Sequence, residues 1–192
     1  MKRLDLVVGP NGAGKSTFVA ITLAPLLPRS VFVNADEIAK RRWPDDPATH
    51  AYDAARIAAN TRAKLIEAGR SFIAETVFSH PSKLDLIRAA HSAGYVVAVH
   101  VLLIPEDLAV ERVQRRVHHG GHDVPESKIR ERHRRLWPLV ADAIAIADTA
   151  TIYDNARREG PRIVAQLTAG TIIGALMWPP WTSAELTRRW PC

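Results

Sequence analysis

The chain has 192 residues, 47% of them hydrophobic and 24% charged, which suits one folded domain and excludes a disordered chain. Its net charge of +6 and pI near 9.9 favour polyanionic ligands. The single cysteine, Cys192, excludes an internal disulfide and a cysteine-based zinc cluster. No apolar run is long enough to cross a bilayer, and Met1-Lys2-Arg3 leads into the first strand without a signal-peptide pattern, so the expected setting is the cytoplasm.

Residues 4–8 form an apolar run that reads as a buried strand, and residues 17–23 open a helix. Between them, Gly9, Pro10, Asn11, Gly12, Ala13, Gly14, Lys15 and Ser16 match the pattern G-x-x-x-x-G-K-[ST] at every fixed position. With Thr17 they are the nucleotide-binding candidates. The glycines let successive N–H groups and the helix N-terminus face a β-phosphate; Lys15 reaches the β- and γ-phosphates, and Ser16 ligates Mg²⁺. A nucleoside triphosphate is therefore the expected ligand.

Pro25 and Pro28 break the first helix, and residues 31–33 make a second strand with Asp36 and Glu37 beyond its tip. Residues 46–68 read as an alanine-rich packing helix stopped by Gly69, and residues 71–74 as a third strand ending at Glu75 and Thr76. A helix over 81–93 precedes a nearly all-apolar strand at 95–104, expected to be central and buried on both faces, with His100 as a satisfied core histidine. Pro105 starts an Arg-rich helix to about residue 119, Gly120-Gly121 forms a hinge, and a second basic helix runs from about 125 past Trp137. Residues 151–153 make a fifth strand leading to Asp154 and Asn155, residues 163–167 an edge strand, and the Trp- and Pro-rich tail at about 170–192 packs back on the body. This alternation predicts an α/β fold in one domain over residues 1–192: a three-layer P-loop NTPase with a mainly parallel sheet and a helical Arg-rich lid at about 105–137.

In open parallel sheets ligands bind beyond the carboxyl ends of the strands, where this chain places Asp36, Glu75, Thr76, Asp154 and Asn155. Motor and switch ATPases usually show an apolar strand ending in an Asp that holds Mg²⁺, but here the long apolar strand ends in Ile104-Pro105. That role falls to Glu75 or Asp36, a pattern that favours a small kinase. Asp36 is the candidate base for an acceptor hydroxyl, with N-capping of the next helix as its structural alternative; Glu37 is expected to face solvent. Glu75 is expected to hold a substrate hydroxyl or a metal-bound water. Arg112, Arg115, Arg116, Arg130, Arg132, Arg134 and Arg135 crowd the lid, and two or three are expected to touch phosphate. His118, His119, His122 and Asp123 lack the spacing of a zinc site and are expected to tune the lid or face water. Two other readings stay open. One is an enzyme acting on nucleic-acid ends, against which the lack of aromatics among the arginines counts. The other is a nucleotide-dependent protein-binding switch using Trp178, Trp181 and Trp190.

The phosphate loop, Asn34-Ala35-Asp36-Glu37-Ile38, Glu75-Thr76, the Gly120-to-Pro125 segment with Ile129, Arg130 and Arg132, and Tyr153-Asp154-Asn155 together resemble the small chromosomal branch of the zeta-toxin-like P-loop kinases, in order over roughly residues 3–156. The resemblance implies a nucleotide-kinase-like core that uses ATP or GTP with Mg²⁺ to phosphorylate a small hydroxyl-bearing acceptor. The better-known plasmid toxins phosphorylate UDP-N-acetylglucosamine at the sugar 3′-hydroxyl and are held inactive by a small helical antitoxin. By this resemblance Asp36 is the base, Glu75 holds the substrate with Thr76 beside it, and Arg116 and Arg132 are the paired lid arginines, with Arg130 a competitor. The chain departs from the family in being shorter than the plasmid toxins and in lacking their glycine between Glu75 and Thr76. It also carries His133, Leu136 and Ala156 where the small branch usually has Tyr, Ser and Ser. These departures bear on the acceptor pocket and on toxicity, not on nucleotide binding.

Overall fold

The computed structural model describes residues 1–118 and 124–192. Strands β1 (Arg3–Val8), β2 (Val31–Val33), β3 (Phe72–Thr76), β4 (Val96–Leu103), β5 (Thr149–Asp154), β6 (Arg162–Thr168) and β7 (Thr171–Ile172) form one sheet in the order β2-β3-β1-β4-β5-β6-β7. The first five strands in that order are parallel, and β6 and β7 add antiparallel. β6 is thus not the edge, because the two-residue β7 pairs outside it.

Helices are α1 (Lys15–Phe18), α2 (Ala24–Leu26), α3 (Ala35–Arg42), α4 (Ala51–Glu67), α5 (Ser82–Ser92), α6 (Glu106–His118), α7 (Glu126–Ile146) and α8 (Ala184–Arg189). Between α1 and α2 the chain passes through a π-helical stretch, Val19–Leu23, closed by the Ala24 N–H on the Val19 carbonyl. Pro25 has no N–H for the carbonyl one turn back, and the turn before it widens. Helix α4 starts at Ala51, five residues later than the composition suggests, because Pro44 and Pro47 hold residues 43–50 in turns. Helix α7 continues through Pro138 to Ile146, since Leu136, Trp137, Val140, Ala141, Ala143 and Ile144 are all buried. Burial of that apolar face offsets the missing hydrogen bond.

Side chains alternate across the strands and build two cores, which makes the fold a three-layer one. On one face Val7, Ile73 and Leu102 pack against Phe18, Val19, Leu23, Ala109 and Val113 of the first helical segment and α6. On the other, Leu6, Val8, Phe72, Ala74 and Val99 pack against α4, α5, α7 and α8. β4 is central as its apolar run suggests. His100 within it is only half satisfied: Nε2 lies 2.9 Å from Oδ1 of the buried Asp5, itself paired with Arg3, while Nδ1 has no partner among the described residues. The tail docks on the second core, where Trp190 Nε1 donates to the Gly170 carbonyl and Trp178 Nε1 to that of Trp190, both at 2.8 Å. Trp190 is buried, and Trp178 and Trp181 are partly buried against this core, as the expected packing of the tail on the body requires.

Candidate active site

The loop from Gly9 to Ser16 is shaped by the protein as much as by any ligand. A Cβ on Gly9 would sit 2.6 Å from the Leu102 carbonyl oxygen, and one on Gly12, where φ is +75°, would sit 2.8 Å from that of Ala109. β4 and α6 therefore press on the loop from behind and exclude side chains there. Lys15 Nζ donates to the Pro10 carbonyl at 2.9 Å, folding the ammonium back over its own loop. Burial lowers the Lys15 pKa; Glu75 and Asp36 oppose that shift, and Arg116 adds to it. All three charges therefore lie within electrostatic reach of the ammonium.

A brace behind the loop comes from β5. Asn155 Nδ2 donates to the Ala13 carbonyl at 2.7 Å, and Arg112 donates to the carbonyls of Asn155 and Ala156 at 3.0 and 3.3 Å. Arg112 thereby ties α6 to the strand end and faces backbone oxygens. Sequence spacing places Asn155 at a strand tip but does not disclose that its amide holds the loop, because its partner lies 142 residues away.

Three residues meet on the open side. Glu75 accepts from Ser16 Oγ, at 2.8 Å to Oε2 and 3.1 Å to Oε1, and from Asn34 Nδ2 at 2.6 Å. Burial pushes the Glu75 carboxyl up, against the pull of Lys15 and of the Ser16 and Asn34 hydrogen bonds. Asn34 then caps α3, its Oδ1 accepting from the N–H groups of Asp36 at 2.7 Å and Glu37 at 3.3 Å. The cap is thus Asn34, not Asp36, whose exposed carboxylate stands in the first turn of α3 within electrostatic reach of Lys15 and Glu75. Asn34 is the residue that sequence reasoning passed over, although an Asn before Ala-Asp-Glu is a legible cap signal. Thr76 Oγ1 accepts from the Phe78 N–H at 3.3 Å, and Thr17 is exposed on α1. A cleft of about 820 Å³ opens beside Ser16 and Asn34, walled by Phe32, Glu37, Ile38, Arg41 and Arg42. Glu37 is exposed, as expected, on the rim of this cleft, where it pairs with Lys40 at 3.2 Å.

The lid arginines divide by partner. Arg130 binds Asp107 and Glu126 at 2.8 Å and Glu106 at 2.9 Å, and these carboxylates hold its pKa above the ordinary value. Arg115 pairs with Glu111, Arg134 with Glu106 and Arg135 with Glu131. Arg116 lies near Lys15, and Arg132 is half-buried without an ion pair among the described residues. The hinge glycines Gly120 and Gly121, with His119, His122 and Asp123, lie outside the described residues. No group of three or more His, Cys, Asp or Glu suited to a metal occurs among the described residues. The Ser16 hydroxyl and Glu75 carboxylate make an all-oxygen pair suited to a hard cation such as Mg²⁺. No helix among the described residues is long and apolar enough to cross a membrane.

A mainly parallel sheet carrying this loop at the end of β1 defines a P-loop NTPase fold. Residues 4–139 match the model of the AAA domain family, and the chain belongs to that family. No curated protein matches the sequence. Among solved structures, the PezAT chromosomal toxin-antitoxin system of Streptococcus pneumoniae aligns at TM-score 0.64 and 15% identity, covering 88% of this chain and 76% of that one. The AvrRxo1-ORF1:AvrRxo1-ORF2 complex with sulphate aligns at TM-score 0.71 and 16% identity over 98% of this chain, which spans 63% of that one. A putative kinase from Chloroflexus aurantiacus aligns at TM-score 0.55 and 20% identity, over 70% of this chain and 79% of that one. These likenesses establish the shared fold.

Proposed function

We propose that the chain is an ATP- or GTP-dependent kinase, similar to the zeta toxins, that transfers the γ-phosphoryl group to a hydroxyl of a small acceptor. The observation that supports this reading is the hydrogen-bonded set of Ser16, Glu75 and Asn34 beside the loop that carries Lys15, with Asp36 in the first turn of the helix that Asn34 caps. Lys15 leaves the Pro10 carbonyl for the phosphates, Asp36 takes the proton of the acceptor hydroxyl, and Glu75, anchored by Asn34, orients the acceptor or a metal-bound water. Arg116 and Arg132 neutralise the transferring group; Arg130 reaches it only by leaving its three carboxylates. Mg²⁺, when bound at Ser16, neutralises phosphate charge and aligns the oxygens. The family resemblance makes a UDP-N-acetyl amino sugar the first acceptor to test and a small antitoxin the first partner, in the cytoplasm. Two neighbours carry partner proteins in their names, PezAT and the AvrRxo1 pair, and the latter was also solved with ATP.

Incubating the protein with labelled ATP and a cell metabolite extract, read by mass spectrometry, tests the reading. A phosphorylated metabolite that disappears with Asp36→Asn is the expected result; nucleotide hydrolysis with no labelled acceptor would overturn it. The nucleic-acid reading draws no support from the lid, where Arg115, Arg130, Arg134 and Arg135 are engaged by acids.

A further inference from the structure

On the α4 and α5 side of β3 lies a pair of cations that the phosphate loop does not use. Ala54, Ala58 and Arg62 recur at four-residue spacing and turn one buried face of α4 toward the sheet. Arg62 keeps only 6% of its surface exposed, yet no residue among those described forms a hydrogen bond or ion pair with its guanidinium. Burial holds its pKa below the ordinary value, with no acid opposing the shift. A like charge lies within electrostatic reach: the Lys83 ammonium, half-buried in the first turn of α5, whose pKa is lowered by burial and further by the Arg62 guanidinium. The acids of these helices are engaged elsewhere or exposed: Asp53 pairs with His50 and Arg56, Asp85 with Arg88, and Glu67 stands exposed at the end of α4.

A buried guanidinium near a half-buried ammonium, with no counter-ion among the described residues, is costly, and an anion between them removes the cost. Their position suits the acceptor. Lys83 stands at the start of α5, which leaves the carboxyl end of β3. Phe72 and Ala74 face the core that α4 and α5 cover, and by alternation Thr76 shares that face, whereas Glu75 turns to Ser16. The last two residues of β3 therefore straddle the crest of the sheet.

We propose that Arg62 and Lys83 form an anion-binding subsite for a phosphate or carboxylate of the acceptor, whose hydroxyl reaches Asp36 across the Glu75–Thr76 crest. The acceptor's identity as a kinase substrate rests on the function proposed above; the anion site does not.

Because the phosphate loop also binds anions, the probes are inorganic phosphate and, in a separate arm, acetate, titrated into the Lys15→Ala protein with and without Arg62→Met. Should Lys15→Ala fail to fold, wild type and Arg62→Met saturated with ADP replace the pair. The expected result is binding that Arg62→Met weakens by about 10- to 100-fold and Arg62→Lys by less, the better probe telling phosphate from carboxylate. Equal binding to both proteins overturns the subsite. In the kinase assay, Arg62→Met is expected to raise the acceptor KM by about tenfold or more and leave the ATP KM unchanged. An unchanged acceptor KM overturns the assignment to the acceptor. Absence of any product from wild type sinks the kinase reading alone and leaves the anion titration to stand or fall separately.

Discussion

The two sides of the carboxyl end of β3 hold their charges in opposite ways. Toward the phosphate loop the charged groups are answered, Lys15 by the Pro10 carbonyl, Glu75 by Ser16 and Asn34, Arg112 by the carbonyls of Asn155 and Ala156, while the neutral Asn11 Oδ1 is buried with no partner among the described residues. Toward α4 and α5, Arg62 and Lys83 are answered by nothing among the described residues. The first side is organised before any ligand arrives, which lowers the ordering cost of binding. The second holds its charges in a form that a ligand alone completes.

The comparison breaks most visibly at Lys15. Lys15→Ala should lower turnover by at least about 10²- to 10³-fold and remove measurable ATP binding by calorimetry, since no other cation of the loop replaces it. Asp36→Asn should lower kcat by about 10²- to 10⁴-fold yet leave the ATP Kd within about twofold, because the base acts on the acceptor. An unchanged kcat would remove Asp36 from the chemistry. Gly12→Ala tests the pressure of α6 on the loop: the left-handed φ and the 2.8 Å approach to the Ala109 carbonyl predict a loss of about 1–3 kcal/mol, read as a lower Tm.

The smallest expected effect is the most diagnostic of electrostatics. Glu75 binds its proton more tightly in the folded protein than in the unfolded chain, since burial raises its pKa. Its contribution is therefore full below the unfolded carboxyl range and is lost as pH rises through the folded value. Glu75→Gln should raise the Tm near neutral pH, by about 2–4 °C for each kcal/mol gained, and the advantage should vanish in acid. A Tm difference that stays constant with pH would mean that its partners fully offset the burial of Glu75.

Much of the site was legible before the fold. The loop motif, Asp36 and the Glu75–Thr76 strand end are local patterns, and the five parallel strands fall on apolar runs, three of which lead to polar pairs. Harder to see were the capping role of Asn34, the brace from Asn155 to Ala13, and the engagement of Arg130 by Asp107, Glu106 and Glu126. Each depends on which polar groups, side chain or backbone, the fold brings within hydrogen-bonding distance. Arg62 was invisible for a related reason: in an alanine-rich helix it looks like a solvated arginine, and only the packing of α4 on the sheet buries it.

By itself the amino-acid order determined the phosphate loop, the α/β alternation and the edge of the sheet where ligands gather. Those features follow from backbone freedom at glycine and from hydrophobic period, both read over a few neighbouring residues. Tertiary structure alone decided which charges find partners and which are left without one. Burial and hydrogen bonding are set by groups far apart in the chain, and a charge is stabilised or stranded only once those groups have met.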